Sequence, residues 1–294
     1  MVKEPRNLTV FAPAKINLFL EVLGKRPDGY HELETVMQEV DLKDTLEIEE
    51  IEEGIELTCT EPSIPKDESN LAWKAARLFQ RKIGVEKGVR MHLVKRIPVG
   101  AGLGGGSSDA ASVLKGLNTL WERGLDQREL LEMATQLGSD VPFFVQGGTA
   151  LCKGRGDLVY PLRVKNNFVY VILYPEIIVT TSSVYKALKT GLTKSRKDVS
   201  FFLDALSSGD PESVGRLLFN RLEEVALGLY PVLRKIRTLL ESYGPCGVLL
   251  SGSGSAVYGL CNTKREAEGI KENLKRQGMG KVYVVTNSVS FETA

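Results

Sequence analysis

Residues 98–111 combine five glycines with two serines and lead without a break into an alanine-rich segment of helical character. Glycine accepts positive φ angles and lets a ligand approach the peptide plane closely. At a helix start, backbone N–H groups lack partners within the helix and lie at the positive end of its dipole. This combination favours phosphate binding. A flexible Gly/Ser linker is the alternative, but such linkers rarely run directly into a helix like the one predicted from Ser108.

Length and charge limit the kinds of partner that this chain can have. Its 294 residues favour two domains, and 43% hydrophobic with 26% charged residues is ordinary for a globular protein. Lysine and arginine number 38 against 37 aspartate and glutamate, so no global field attracts nucleic acid or a membrane. We therefore expect neither partner, and an anion must be held by local geometry.

The cysteines and histidines argue against a metal centre and a disulfide framework. The four cysteines are scattered without a Cys-x-x-Cys pair, which is typical of a reduced set of thiols. Only His31 and His92 are present, too few for a multi-histidine site. No long apolar segment resembles a secretory signal or a membrane span, so we predict a cytoplasmic protein.

Hydrophobic periodicity predicts an α+β chain with two units. In the first half we expect strands at 8–22, 45–49, 55–59, 89–97 and 149–153. The first of these is interrupted at Pro13, and 45–49 and 55–59 form a hairpin. Helices are expected at 70–84, from the glycine loop to Trp121, and at 126–138. Asn70 and Asp126 are the predicted N-caps of two of these helices. In the second half we expect strands at 168–174, 247–250, 256–261 and 282–289, and helices at 200–207, 211–227, from Pro231, and at 264–277. The loop 154–157 is the predicted boundary between domains 1–156 and 157–294.

Three known types of phosphate loop fail to explain the glycine stretch. A Walker A loop ends in Gly-Lys-Ser/Thr, and no lysine lies in this loop. The dinucleotide fingerprint is matched by Gly100, Gly102 and Gly105, but the following element is another predicted helix instead of a second strand. A protein-kinase loop connects two strands, whereas this one opens a helix. The reacting cation and base must come from elsewhere in the chain.

The glycine loop resembles the signature loop of the GHMP kinases, the group of galactokinase and the homoserine, mevalonate and phosphomevalonate kinases. Three further stretches resemble motifs of one subfamily: 13–18 (PAKINL), 26–31 (RPDGYH) and 138–144 (GSDVPFF). A fourth, 250–255 (LSGSGS), resembles the family's third, C-terminal glycine motif, and all of them follow the family's order along the chain. The similarity therefore covers essentially the whole chain. It implies two α+β domains with the active site in the cleft between them. The first would be like ribosomal protein S5 domain 2, with a left-handed crossover. The second would be ferredoxin-like, its last strand possibly returning to the first.

The resemblance implies ATP-dependent phosphorylation of the 2-hydroxyl of 4-diphosphocytidyl-2-C-methyl-D-erythritol, in non-mevalonate isoprenoid precursor synthesis. Residues expected to bind ATP are Pro98, Val99, Gly100, Ala101, Gly102, Leu103, Gly104, Gly105, Gly106, Ser107 and Ser108. The serine hydroxyls add donors or a magnesium ligand, unless they simply cap the helix. Asn70 would lie near the adenine, although N-capping needs no ligand. The Mg²⁺ ligands are not assigned, because no glutamate matches the family's metal residue, and Asp109 is expected to face solvent or cap the helix.

The resemblance also assigns the catalytic pair. Asp140 matches the family's catalytic aspartate, the base for the acceptor hydroxyl, although a turn aspartate is the alternative from its Gly-x-Asp-x-Pro setting. Lys15 matches the lysine that pairs with this base and stabilises developing charge, although by itself it resembles a solvated surface lysine. Asn17, on the same strand face as Lys15, would orient either group.

The remaining site residues are implied for the cytidine-bearing substrate. Tyr30 and His31 would stack on the base and hydrogen-bond it, and Tyr185 would oppose Tyr30; hairpin and helix packing are the alternatives. Thr181 would line the same pocket. Gly252 and Ser253 would close over substrate phosphates, unless they only form a tight connection between strands.

Three alternative functions remain in view. Another GHMP kinase with a small acceptor, of homoserine or mevalonate type, would not need a base clamp, that is, the aromatic residues Tyr30, His31 and Tyr185 around a nucleobase. A catalytically silent nucleotide-binding module would not need both Lys15 and Asp140. An S5-like RNA binder is disfavoured by the near-neutral charge. The expected partners are small molecules alone, with the chain a monomer or a weak homodimer.

Overall fold

The computed structural model describes residues 6–188 and 196–287 and divides into two compact units. The first comprises the chain up to Ala14, Leu42–Ile97 and Gly104–Gln146. The second comprises Lys15–Asp41, Pro98–Leu103 and the chain from Gly147 onward. Two long strands, β1 (Asn7–Lys25) and β2 (His31–Ile51), each contribute to both units. The predicted boundary at residue 156 stays a prediction.

The sheet of the first unit contains the second half of β2 together with β3 (Ile55–Cys59) and β4 (Gly88–Val94). β4 pairs antiparallel with β2, with Glu47 opposite His92, and parallel with β3, with Glu56 opposite Arg90. The predicted hairpin of 45–49 and 55–59 is therefore wrong, because β4 lies between the two strands. Alternation of apolar and acidic residues predicts a strand but not its neighbour.

Four helices complete this unit: α1 (Leu71–Ile83), α2 (Gly105–Leu120), α3 (Gln127–Leu137) and α4 (Val141–Gln146). The N-cap role of Asn70 is confirmed, since its Oδ1 accepts a 2.8 Å hydrogen bond from the Ala72 amide. The predicted capping box of Asp126 and Glu129 at the start of α3 is confirmed as well. These local signals satisfy backbone groups that would otherwise lack partners at the helix ends.

The second unit contains two groups of strands. The first half of β2 pairs antiparallel with β5 (Thr149–Gly154), which pairs with β6 (Leu158–Leu162). A separate antiparallel sheet has the order β11-β7-β10-β9, formed by β7 (Val169–Tyr174), β9 (Gly247–Leu250), β10 (Val257–Cys261) and β11 (Lys281–Thr286). The last strand thus pairs with β7, and the following residue, Asn287, forms a bridge with Val40 of β2.

The helices among the described residues of the second unit are α5 (Thr181–Ala187), α6 (Val199–Ser208), α7 (Pro211–Leu217), α8 (Glu223–Leu229), α9 (Pro231–Glu241) and α10 (Lys264–Arg276). The single helix predicted for 211–227 is wrong. A two-residue strand, β8 (Phe219–Asn220), separates α7 from α8 and pairs parallel with β1. Its short length leaves no periodic signal in the sequence.

Two further sequence expectations change. β1 continues through Pro13, so the predicted interruption is wrong. The loop 154–157 connects β5 to the unpredicted strand β6 as a hairpin turn. Across residues 6–188 and 196–287, no helix has both the length and the apolar character that crossing a membrane demands.

Candidate active site

In the second unit, the glycine loop packs closely on the loop 250–255, which begins at the last residue of β9. Gly102 has a φ of +77°, and a Cβ atom on it would lie 2.1 Å from the carbonyl oxygen of Ser251. Real side chains never tolerate such a contact with backbone, so this position requires glycine for close approach as well as for its φ angle. The two glycine motifs are therefore parts of one local structure.

Hydrogen bonds fix this packing and attach it to β1. The Ala256 amide donates to the Ala101 carbonyl at 3.0 Å, and the Ser251 hydroxyl donates to the Gly102 carbonyl at 3.0 Å. The Lys15 amide donates to the Leu103 carbonyl at 3.0 Å. Three motifs that are far apart in sequence thus meet within the second unit.

Lys15 is buried, with 4% of its surface exposed, which excludes the solvated surface lysine considered from the sequence. Its Nζ donates a 2.5 Å hydrogen bond to Oδ1 of Asn17. The Asn17 amide nitrogen donates to the Thr35 hydroxyl at 2.9 Å, and Thr35 donates to the Phe19 carbonyl at 2.7 Å. This chain fixes the Asn17 side chain with its oxygen toward the lysine.

Gly252 lies beside this pair. Its φ is +57°, and a Cβ atom built on it would lie 3.2 Å from Asn17 Oδ1 and 3.6 Å from Lys15 Nζ. The neighbouring Ser253 hydroxyl lies 3.0 Å from that of Thr181. The structure therefore brings together five of the expected site residues: Lys15, Asn17, Gly252, Ser253 and Thr181.

The expected base-binding residues lie in the same unit. The rings of His31 and Tyr185 contact each other, with centroids 4.9 Å apart and planes inclined by 33°. Tyr30, which follows the turn at 26–29, is 53% exposed. Burial, reinforced by the nearby charge of Lys25, lowers the pKa of His31. Its imidazole is therefore neutral at pH 7 and presents one donor and one acceptor nitrogen.

Tyr185 and Thr181 stand four residues apart on α5, which places them on one face of that helix. At one end of this face the Thr181 hydroxyl lies 3.0 Å from the Ser253 hydroxyl, and at the other end the Tyr185 ring contacts the His31 ring. α5 therefore connects the two groups of expected substrate residues.

The first unit holds Asn70, Asp140 and the part of the glycine loop from Gly104 onward, while Pro98–Leu103 belong to the second unit. Asp140 lies half-buried in the turn between α3 and α4, after Gly138, whose carbonyl accepts a 3.3 Å hydrogen bond from Val141. Its pairing with Lys15 stays a prediction. Gly104, with a φ of +73°, is the N-cap of α2, so neither Ser107 nor Ser108 is the cap residue. The Ser108 hydroxyl is buried and has no hydrogen-bond partner among the described residues.

Sequence reasoning missed Arg155, which lies in the turn 154–157. Its guanidinium carbon is 5.0 Å from the centre of the Tyr30 ring, within cation–π range. Asp157 holds the guanidinium through hydrogen bonds of 3.1 Å to Nε and 2.9 Å to Nη2. The sequence signal for this arginine is the Arg-x-Asp pair inside the turn Gly154-Arg155-Gly156-Asp157, a turn that also has the composition of a domain boundary.

A buried charge cluster, formed by Asp44, Lys95 and Asp109, was missed as well. Lys95 Nζ lies 2.8 Å from Asp109 Oδ2 and also donates to Asp44. The other oxygen of Asp44 accepts the Ile97 amide at 2.9 Å. Asp109 is 3% exposed, so the expectation that it faces solvent or caps the helix is wrong. Burial, with the charge of Asp44, raises the pKa of Asp109 to about 7, although Lys95 opposes this shift.

This charge cluster underlies the start of α2. A Cβ atom on Gly105 would lie 3.2 Å from Lys95 Nζ and 3.1 Å from an Ile97 methyl group. Burial opposes the charge of Lys95, but the two carboxylates outweigh it and raise its pKa. A charged ammonium group, paired with two carboxylates, therefore lies directly below the first turn of α2.

Magnesium was tested against the oxygen donors of the structure. Among the described residues, no group of three or more histidine, cysteine, aspartate or glutamate side chains could enclose a metal ion. Mg²⁺ in phosphate sites needs few protein ligands, since substrate phosphates and water supply the rest. The unpartnered Ser108 hydroxyl fits such a minor contribution. Asp109 binds Lys95 through Oδ2, while its Oδ1 has no hydrogen-bond partner among the described residues.

Comparisons with known proteins find relatives of this chain. The model of the GHMP kinases N-terminal domain matches residues 70–148, and that of the GHMP kinases C-terminal domain matches 202–279. A 4-diphosphocytidyl-2-C-methyl-D-erythritol kinase of Caldicellulosiruptor bescii is 43% identical over 265 residues, which span 90% of this chain and 93% of that protein.

Solved structures resemble the whole chain. The crystal structure of a 4-(cytidine 5'-diphospho)-2C-methyl-D-erythritol kinase superposes with a TM-score of 0.83 at 38% identity, covering 96% of this chain and 99% of the other. A homoserine kinase from Cytophaga hutchinsonii, with a TM-score of 0.78 at 21% identity over 98% and 96% of the two chains, shares the fold alone. The predicted two-domain α+β fold is confirmed.

Proposed function

The chain belongs to the GHMP kinase family, and we propose that it transfers the γ-phosphoryl group of ATP to the 2-hydroxyl of 4-diphosphocytidyl-2-C-methyl-D-erythritol. The observation that supports this choice of substrate is the aromatic group of Tyr30, His31 and Tyr185, which α5 connects to Thr181 and Ser253. A kinase with a small acceptor has no use for a base clamp.

The base would stack on an aromatic ring of this group, while His31 forms hydrogen bonds to the polar edge of the base. Stacking of a base on an aromatic side chain contributes about 1–3 kcal/mol, enough to select a nucleotide-bearing substrate. The neutral imidazole of His31 has both a donor and an acceptor nitrogen for the edge of cytosine. Recognition thus comes from the part of the substrate that does not react.

Phosphoryl transfer depends on positioning and on charge stabilisation. In our proposal Asp140 accepts the proton of the 2-hydroxyl as its oxygen bonds to the γ-phosphorus, and the bond from phosphorus to the β–γ bridging oxygen breaks to leave ADP. Lys15, held by Asn17, stabilises the negative charge that develops on the reacting oxygens.

The ATP phosphates would be bound by backbone N–H groups from Gly100 to Ser108, with Asn70 near the adenine. The ammonium group of Lys95 below the first turn of α2 is paired with Asp44 and Asp109, so the positive potential there comes from the start of the helix itself. Mg²⁺, when bound, neutralises phosphate charge; Ser107 and Ser108 are the hydroxyls that would contribute to holding it.

We also propose that the enzyme is cytoplasmic and acts as a monomer or weak homodimer, without nucleic-acid or membrane partners. The four cysteines, all within the described residues, are present as thiols and not as disulfides, in agreement with a reducing compartment.

The test is an ATP-consumption assay with purified protein and three acceptors: the cytidylated substrate, homoserine and mevalonate. We expect turnover with the cytidylated substrate alone. Turnover with either small acceptor, and none with the cytidylated one, would overturn the assignment. Absence of turnover with all three, although ATP binds, would favour the catalytically silent module.

A further inference from the structure

We propose that Asn220 is a positioning residue that fixes the loop 250–255 beside Lys15 and thereby sets the rate of phosphoryl transfer. The inference rests on the proposed catalytic role of Lys15. No motif identified in the sequence contains Asn220, and the two-residue strand that carries it was predicted to be helix.

The Asn220 side chain is 5% exposed and uses its amide fully. Its Nδ2 donates to the Leu250 carbonyl at 2.9 Å and to the Gly252 carbonyl at 2.7 Å. Its Oδ1 accepts the Leu222 amide at 2.9 Å. One side chain therefore holds two carbonyls of the loop in place.

The backbone of the same residue is attached to the strand of the catalytic lysine. Asn220 lies opposite Leu20 in the parallel pairing of β8 with β1, and β1 also carries Lys15 and Asn17. Asn220 is thus a direct physical connection between β1 and the loop 250–255, both of them in the second unit.

The loop position matters because Gly252 is close to the lysine. A Cβ atom on Gly252 would lie 3.6 Å from Lys15 Nζ and 3.2 Å from Asn17 Oδ1. The carbonyl that Asn220 holds belongs to this same glycine. A shift of Gly252 therefore changes the space around the ammonium group and the acceptor that orients it.

Glu223, three residues further on, supports the same loop. Its Oε1 accepts the Leu250 amide at 2.9 Å and forms an ion pair with Arg237 Nε at 3.2 Å. Both backbone polar groups of Leu250 are thus bound by side chains from 220–223. The start of the loop is held from two directions.

Only an amide suits position 220. Two carbonyl oxygens need donors while the Leu222 amide needs an acceptor, and asparagine supplies both. Aspartate has the same shape but no donor, so it would place its charge against two carbonyls and leave them unsatisfied in the interior. Asn220→Asp is therefore a substitution of the same size that removes the proposed action.

The experiment measures kcat and KM for ATP and the cytidylated substrate in Asn220→Asp, with Asn287→Asp as the matched control. Asn287 is also a buried amide (4% exposed) bound to backbone, through its Oδ1 to Phe168 and its Nδ2 to Asn166, but remote in sequence from the loop. We expect kcat to fall about tenfold to a hundredfold in Asn220→Asp, as for a misplaced catalytic group, and less than about twofold in the control. A near-normal kcat in Asn220→Asp, or an equal loss in both variants, would overturn the proposal.

A double-mutant cycle with Gly252→Ala separates positioning from general destabilisation. If Asn220 acts through Gly252, the double variant is no slower than the slower single variant; independent effects would multiply and contradict the proposal. Asn220→Ser, which adds no charge, takes the place of the aspartate variant if the latter does not fold. It should show the same non-additivity.

Hydrogen exchange makes the inference testable even if the substrate is wrong. Amides in peptides covering 250–255 should exchange about tenfold faster in Asn220→Asp than in wild type, and at the wild-type rate in Asn287→Asp. Unchanged exchange in the loop would refute the positioning role. If wild type fails to phosphorylate the cytidylated substrate while the exchange result holds, the substrate assignment fails and the positioning role stands.

Discussion

The ammonium group of Lys15 donates a 2.5 Å hydrogen bond to Oδ1 of Asn17, two residues further along β1. Residues two apart in a strand share one face, so the sequence places the two side chains next to each other. Thr35 binds the amide nitrogen of Asn17, and this directs its oxygen to the lysine. Substitution of either residue therefore tests the role of this pair.

Replacement of Lys15 by methionine should lower kcat about a hundredfold to a thousandfold, because a preorganised cation is lost. Asn17→Ala should have a smaller effect in the same direction, since the lysine remains but loses its acceptor. Steady-state kinetics measure both, with Lys43→Met, an exposed lysine over the Phe11 ring, as the control. Full activity in Lys15→Met would remove this residue from the catalytic role.

Asp140→Asn should lower kcat about a hundredfold to ten-thousandfold, which is the usual contribution of a general base, while ATP affinity changes little. The measurement combines steady-state kinetics with ATP titration by calorimetry. Asp126→Asn, at the N-cap of α3 in the same unit, tests whether loss of a carboxylate alone has this effect. If Asp140→Asn turns over at a near-normal rate, another group is the base.

Tyr185→Ala should raise KM for the cytidylated substrate about tenfold, the lower part of the range expected from one lost stacking contact, with kcat nearly unchanged. The comparison variant is Tyr160→Ala, a tyrosine of β6 that is 50% exposed. An unchanged KM in Tyr185→Ala would take Tyr185 out of the base site.

Arg155→Ala should raise the same KM by about two- to fivefold, the factor that corresponds to 0.5–1 kcal/mol for a cation–π contact at an exposed site. The KM for ATP and kcat should not change, because the guanidinium lies against Tyr30, the ring proposed to bind the base. Arg155→Lys should restore part of the affinity, since the charge returns without the planar group that Asp157 holds. Equal KM values in wild type and Arg155→Ala would show that Tyr30 does not need this support.

The buried charge cluster predicts a dependence of stability on pH. The pKa of Asp109 is raised to about 7 from 3.8, so the folded protein binds more protons than the unfolded chain between these values. The stability from this group is full below about pH 4 and is lost as pH rises through about 7. Asp109→Asn removes the titration but keeps an oxygen acceptor for Lys95.

Thermal unfolding at pH 5.5 and pH 8 measures this effect. The Tm of wild type should fall relative to that of Asp109→Asn by about 4–8 °C over this interval, as a change of about 2 kcal/mol produces in a chain of this size. A constant difference between the two proteins at both pH values would show that Asp109 keeps one protonation state.

Local signals of the sequence determined the starts of α1 and α3, the glycine loop and the family motifs. Asn70 at the start of α1 and the Asp126–Glu129 capping box were correct, because a cap satisfies backbone groups within three residues of itself. The positive φ of Gly102 likewise belongs to the residue type that occupies it.

Tertiary structure decided which strands are neighbours and which charges are buried. The sequence predicts a strand at 55–59, but its parallel pairing with β4 depends on residues 34 positions away. Asp109 resembles a solvent-facing helix residue until Lys95 and Asp44 enclose it. Asn220 and Arg155 acquire their roles only through contacts with Gly252 and Tyr30. Caps and turns are satisfied within a few residues, whereas the burial of a charge or an amide depends on partners that only the folded chain brings to it.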